Sequence, residues 1–346
     1  MRRYLNTLYV QTEGARLRKD GTNLVVAVDG VEKGRVPAHL LGGVVCIGRV
    51  GASPPLLGFC CESGISVTWL TEHGRFLARV EGAVSGNVLL RREQYRRSDD
   101  PVACAALVRS FVLAKTLNQR TVLRRALRDH GDGMPADGKA AVEAAERRLT
   151  DIARRAQKDQ GTDALRGLEG EAAASYFAVL DQLIRSDAPG LRFRGRSRRP
   201  PLDPINALLS LLYTLLTHDC RSALETFGLD PAVGFLHRDR PGRPSLALDL
   251  LEEFRPVVAD RLMLSLVNRR QVGPGAFRRM ESGAVLLADD ARRDVIVAFQ
   301  ERKKEEMLHP YLQEKAALGL MPQLQAQLLA RHLRGEMDAY PPFVWR

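Results

Sequence analysis

Between Gly234 and Pro256 the chain reads GFLHRDRPGRPSLALDLLEEFRP. One imidazole, His237, lies in a loop rich in Pro, Gly and Arg. A helix carrying Asp249, Glu252 and Glu253 follows at once, with Pro244 at a tolerated early position. On a 3.6-residue wheel Leu250, Leu251, Phe254, Val257, Val258 and Leu262 form the apolar stripe, and Pro256 should kink or divide the helix. Asp249 and Glu252, spaced i and i+3, share the side away from that stripe, and Glu253 lies at its flank. Two carboxylates on one face beside a histidine can hold a hard divalent ion. The same residues could instead make an exposed acidic face paired with Arg255. The loop arginines Arg238, Arg240 and Arg243 are candidate clamps on a polyanion rather than ligands.

A further acid comes from earlier in the chain. The spacing predicts a helix from about Thr162 to Ile184, with Leu165, Leu168, Ala172, Tyr176, Leu180, Leu183 and Ile184 in one stripe. Glu169 falls near the middle of that stripe and Glu171 on the opposite face. An ionised carboxylate facing inward is costly unless it is paired, hydrogen-bonded or metal-bound. Glu169 therefore reads either as a ligand or as half of a buried Glu–Arg pair. Gly170 beside it would let another backbone come close. Residues Arg192 to Arg199, RFRGRSRR, make a mobile loop. Its Arg192, Arg194, Arg196, Arg198 and Arg199, with an interleaved Phe193, suit phosphate contact and base stacking. Asp203-Pro204 then opens an apolar helix, Ile205 to Leu216, buried on all sides. Asn206 near its start could cap it or orient a neighbour in the site.

The elements that must position these groups fall into an α+β order. The chain has 346 residues, enough for two domains, and a formal net charge of +11 that draws it toward nucleic acid. Its five cysteines are odd in number and make no CxxC pair, a pattern that argues against a zinc ribbon and a disulfide framework and fits a cytoplasmic location. No apolar run approaches a membrane span, and MRRYLNTLYV is not a signal peptide. Residues 1–90 read as a small β-sandwich or barrel. Its runs are Tyr4 to Val10, Asn23 to Val28, Val31 to Val36, Val44 to Ile47, Leu57 to Cys61 and Ile65 to Leu70, with a hairpin at Asp29-Gly30. His39 and His73 read there as surface or packing residues. Residues 91–101 read as a polar linker, and 102–346 as a mainly α-helical domain. In that domain Ala103 to His130 and Lys139 to Gln157 form the first two helices, and Arg109, Lys115, Arg120, Arg124, Arg125 and Arg128 line a polar face of the first.

Three ordered segments carry a family resemblance: LEGEAAASYF (Leu168 to Phe177), DPINALLSLLY (Asp203 to Tyr213) and the stretch from Gly234 to Pro256. Together they resemble Cas1, the CRISPR-associated endonuclease and integrase of spacer acquisition, over essentially the whole chain. The opening MRRYLNTLYVQTEGARLRKDG is similar to the branch found with type I-C systems. The resemblance implies an N-terminal β domain that dimerises and a helical catalytic domain. It implies a Mg²⁺ or Mn²⁺ site built from Glu169, His237 and Glu252, with Asp249 a ligand or a supporting group. The implied reaction is attack of a DNA 3′-hydroxyl on a phosphodiester of the CRISPR repeat. Implied partners are double-stranded DNA, a second copy of the chain, Cas2 and Cas4. A DNA-binding scaffold whose acids merely pair with arginines, or a metal-dependent RNA-processing nuclease, would use the same residue types.

Overall fold

The computed structural model describes residues 6–71, 76–80, 82 and 88–345. It divides into two compact units, Met1–Asn87 and Val88–Arg346. His73 lies outside the described residues.

The first unit carries two four-stranded sheets. In one, β2 (Arg16–Asp20), β3 (Asn23–Val28) and β4 (Val31–Pro37) form an antiparallel meander, and the short β6 (Gly51–Ala52) runs parallel to β2. The hairpin at Asp29-Gly30 is present, with Val28 opposite Val31 and both turn residues at positive φ, 49° and 79°. Those are the torsions a two-residue hairpin of native twist requires. The second sheet has the order β1–β5–β7–β8, from Asn6–Val10, Leu41–Ile47, Ser66–Leu70 and Phe76–Val80.

An all-β reading of this unit fails at Leu57 to Cys61, which is helical. Helix α1 spans Pro54–Glu62, opened by Ser53 and two prolines at its first positions. Strands β5 and β7 pair in parallel, so the chain needs a crossover between them, and α1 lies in it. Leu56 and Cys60, four residues apart, face the core with Leu17, Leu24, Val44, Cys46 and Val67. Trp69 donates its indole N–H to the Val50 carbonyl at 2.7 Å.

The second unit begins with a correction. The supposed linker is helix α2, Val88–Asp99, and no breaker interrupts it before Pro101. Leu90 and Gln94, one turn apart, are buried. Gln94 donates to the carbonyls of Asp230 and Val233 and accepts from Asp230 N–H. Asp100 then caps the 30-residue helix α3, Pro101–His130, accepting from Val102 and Ala103 N–H at 2.8 and 3.1 Å.

Helices α4 (Ala136–Ala156) and α5 (Thr162–Ala178) pack on α3 and on each other. Helix α5 ends six residues before the predicted Ile184, where Leu180–Leu183 tighten into a 3-10 turn. Helix α6, Pro204–Thr226, is buried nearly all round and runs past Leu216. Helix α7, Ser245–Phe254, sits against both α3 and α6. Pro256 does not end the helical path. The segment Arg255–Asp260 widens into a π-helical turn and leads into α8, Arg261–Asn268. The remainder alternates short hairpins with helices: β9 (Phe277–Arg279) with β10 (Val285–Leu287), α9 (Asp289–Lys304), β11 (Glu306–Leu308) with β12 (Lys315–Ala317), and α10 (Met321–Leu333).

The C-terminal segment docks beside this core. Asn118 on α3 donates to the carbonyls of Glu253 and Phe343 at 2.7 and 2.9 Å and accepts from Trp345 N–H at 2.8 Å. The Trp345 ring lies between two guanidinium groups, Arg125 at 3.8 Å and Arg261 at 4.4 Å from its centroid.

Candidate metal centre

His237 owes its position to one carboxylate. Asp249, fully buried on α7, accepts from the N–H groups of Phe235, Leu236 and His237 at 2.6, 3.0 and 2.9 Å. His237 Nδ1 lies 2.7 Å from the same carboxylate. An ionised carboxylate only accepts, so the imidazole proton is on Nδ1 and the free lone pair is on Nε2. Gly234 belongs to this cradle, since a Cβ there would meet Ser245 at 2.8 Å and Asp249 Oδ2 at 2.9 Å. From the other side Arg166 of α5 donates to the carbonyls of Phe235 and Leu236 at 3.0 and 2.7 Å. The loop is thus gripped from α7 and α5, and Nε2 is presented toward Glu252, 3.8 Å away.

Asp249 and Glu252 do share one side of α7, but that side is inward. Asp249, Glu252 and Glu253 are all buried, because α7 is covered on every face. The exposure in the alternative reading is thereby excluded, while its pairing with Arg255 is present. Glu252 Oε1 accepts from Arg255 at 2.6 Å, and its Oε2 lies 2.7 Å from Lys115 Nζ as an ion pair. Burial alone would push the Glu252 carboxyl up. The positive charges of Arg255 and Lys115 outweigh it and hold the group below the usual carboxylate range.

Glu169 of α5 enters through the same lysine, whose Nζ donates to its Oε1. It is half-buried rather than deep in the interior, and the space around Gly170 is open rather than filled by another backbone. Glu171, as expected, points elsewhere, to Arg148 and Arg155 on α4.

Two residues stand away from the centre, Glu253 in keeping with its flank position and Asn206 against the alternative that it orients a neighbour in the site. Glu253 turns to the opposite side of α7 and accepts from Tyr340 OH, Phe343 N–H and Gln325 Nε2 at 2.6, 2.7 and 2.8 Å. Asn206 does not touch the acids. It accepts from Arg196 Nη1 and Ser197 N–H and donates to Gly195 and Asp203. Asp203 is the cap of α6. Asn206 therefore pins the arginine loop, which is anchored at Phe193 and Arg196, while Arg192, Arg194, Arg198 and Arg199 are exposed. Arg196 faces the Tyr213 ring at 5.3 Å and Arg255 faces it at 4.9 Å, which joins the loop to Glu252. In the histidine loop Arg238 and Arg240 are exposed, Arg243 is half-buried, and Arg238 pairs with Asp163 at 2.8 Å.

Among the described residues no three His, Cys, Asp or Glu side chains close on one point. Two carboxylates instead flank an ammonium group, and the imidazole nitrogen lies beside the other oxygen of Glu252. The donor set fits a divalent Mg²⁺ or Mn²⁺ on two counts. The lysine nitrogen is a stand-in cation between the acids, and the Asp249-bound imidazole offers the ligating lone pair outward. Sequence reasoning missed Lys115, Arg166 and the full role of Asp249. Lys115 had a signal: it lies four residues after Phe111 and seven before Val122, on the buried stripe of α3.

The family model described as CRISPR associated protein Cas1 matches residues 8–301. The chain belongs to the Cas1 family. A CRISPR-associated endonuclease Cas1 of Rhodospirillum rubrum is 61% identical over the full length of both proteins. A Cas4/Cas1 fusion of Geobacter sulfurreducens is 38% identical over 98% of this chain and 60% of its own length. The solved Cas1 structure from Thermotoga maritima shares the fold, with a TM-score of 0.80 at 22% identity over 99% of this chain and 100% of that one. The Cas1 fold thus accounts for the order of a β unit followed by a mainly helical unit.

Proposed function

We propose that this Cas1-family chain inserts new spacer DNA into a CRISPR repeat array through the centre formed by Glu169, His237 and Glu252. The observation that carries the site is the Asp249 cradle, which leaves His237 Nε2 aimed at Glu252 while Lys115 links Glu252 to Glu169. Those three residues would hold Mg²⁺ or Mn²⁺, which supplies Lewis-acid stabilisation of charge on phosphodiester oxygens. Asp249 acts as the positioning residue for the imidazole. The substrate 3′-hydroxyl attacks a repeat phosphodiester, a new P–O ester bond forming as the bond to the repeat strand's own 3′-oxygen breaks and that oxygen leaves, taking up a proton as a 3′-hydroxyl; with water in place of the attacking hydroxyl the same centre cleaves DNA.

The exposed Arg238 and Arg240, the half-buried Arg243, and Arg192, Arg194, Arg198 and Arg199 hold the phosphate backbone. Such contacts position DNA without reading much sequence. Dimerisation through the β unit, assembly with Cas2, and cooperation with Cas4 complete the reading. The Geobacter relative, which joins Cas4 and Cas1 in one polypeptide, supports the last. The opening segment supports placement in the type I-C branch.

The test is integration of a short DNA duplex into a repeat-containing plasmid with Mn²⁺, comparing wild type with Glu169→Ala and His237→Ala. Loss of strand transfer with DNA binding retained is expected. Unchanged strand transfer in both variants would sink the assignment and favour a scaffold. Activity on RNA that DNA cannot compete away would favour an RNA-processing nuclease.

A further inference from the structure

Lys115 is the only cation in contact with both Glu169 and Glu252 among the described residues. It stands in the middle of α3, the longest helix described, and its side chain is 4% exposed. A lysine so buried needs anionic partners, and both of its partners are proposed metal ligands. Glu252 is 2% exposed and has Arg255 as a second, permanent counter-charge on its other oxygen. The two carboxylates are already met by one ammonium and one guanidinium, and the third acid, Asp249, is taken up by three backbone N–H groups and His237. A divalent ion added to that set would bring excess positive charge beside the buried Glu252. The guanidinium of Arg255 is held against Tyr213 and Glu252. The ammonium sits on four rotatable methylenes and is the group free to leave.

We propose that Lys115 is a built-in counter-cation that keeps the two acids together and exchanges with the divalent ion, the two cations excluding each other from the same carboxylate pair. The proposal rests on the metal-holding role assigned above. It gives Lys115 a positioning task distinct from ligation: it prevents Glu169 and Glu252 from repelling each other apart, and it sets how much metal is needed to load the centre. On this account the lysine costs metal affinity in return for a site preassembled without metal.

The experiment uses the full chain, freed of metal with a chelator and dialysed. Wild type, Lys115→Met and the double variant Lys115→Met/Glu169→Gln are compared. Methionine preserves the length and apolar stem of lysine without its charge. Mn²⁺ binding is followed by electron paramagnetic resonance of free Mn²⁺, and stability by thermal unfolding with chelator and with Mn²⁺.

Lys115→Met should unfold about 5 °C below wild type in chelator. It should bind Mn²⁺ about tenfold more tightly, and its unfolding temperature should rise more on Mn²⁺ addition than that of wild type. The double variant, with one carboxylate neutralised, should regain most of the lost stability in chelator and bind Mn²⁺ weakly. It keeps the proposal testable if the single variant does not fold in chelator. Equal or weaker Mn²⁺ binding by Lys115→Met, with wild type binding normally, overturns the exchange and leaves the metal site intact. Absence of Mn²⁺ binding by wild type overturns the metal site itself.

Discussion

Glu252 and Glu253 are neighbours in sequence, equally buried, and on the same helix, yet they live in opposite electrostatic surroundings. On one side of α7, Glu252 meets two cations, Arg255 and Lys115, and the edge of the His237 imidazole. On the other side Glu253 meets only neutral donors, a phenol, a carboxamide and a backbone N–H. The first carboxyl stays ionised despite burial. The second is pushed up to about 7, because burial outweighs the three hydrogen bonds. Burial alone therefore does not mark a reactive acid. The partners do, and apart from Arg255 they come from segments distant in sequence: Lys115 and His237 for Glu252, Gln325, Tyr340 and Phe343 for Glu253.

Four experiments break or sharpen that contrast. The largest effect is expected from Glu252→Gln. It should lower strand transfer by about a thousandfold. It also leaves Lys115 and Arg255 short of their anion, which costs about 3–5 kcal/mol by chemical denaturation. Glu253→Gln should keep strand transfer within about threefold of wild type, a difference of under 1 kcal/mol; an equal loss in both variants would erase the distinction drawn here.

The second experiment reads pH. In the unfolded chain Glu253 titrates near its ordinary 4.5, and in the folded chain near 7. Between those values the folded state holds the extra proton, so its stability is highest below the lower value and falls as pH rises toward the upper one. The total loss is about 3 kcal/mol. Urea denaturation at pH 5 and pH 8 should show that loss in wild type and a much smaller one in Glu253→Gln. A residual slope of the same sign belongs to Asp260, which burial raises to about 6.

Third, Asp249→Asn removes an acceptor from the histidine loop and frees the imidazole tautomer. Mn²⁺ affinity should fall about 10–100-fold with little change in fold by circular dichroism. Unchanged affinity would show that the cradle does not set the imidazole. The smallest effect is expected at Glu171, two residues beyond Glu169 and facing away. Its pairs with Arg148 and Arg155 are partly exposed, so Glu171→Ala should cost no more than about 1 kcal/mol and leave Mn²⁺ binding unchanged.

Much of the site is legible in sequence, because its parts follow local rules. The Pro/Gly bounds of the histidine loop and the shared side of Asp249 and Glu252 survive in three dimensions, and Glu169 faces Lys115 from a half-buried position. What escapes is what distant segments decide. The wheel of α7 placed the acids away from the apolar stripe, but α3 and α6 cover that side too, so the acids are buried. Lys115 looked like one more base on a charged helix until its register with Phe111 and Val122 placed it inward. The run Leu57 to Cys61 is short and apolar, which periodicity alone cannot assign; the parallel pairing of β5 with β7 decides for helix. Likewise RREQYRRSDD is polar enough for a linker, and only the burial of Leu90 and Gln94 reveals its helix.

The chain has two tryptophans, and each unit holds one. Trp69 belongs to the β unit, and Trp345 lies in the docked C-terminal segment between Arg125 and Arg261. A Trp69→Phe protein would therefore carry a single tryptophan, with the guanidinium groups of Arg125 and Arg261 over its ring. Release of the C-terminal segment would move that indole into water and shift its emission to longer wavelength. The segment thus supplies an optical gauge of the helical unit, and no dye is required to read it.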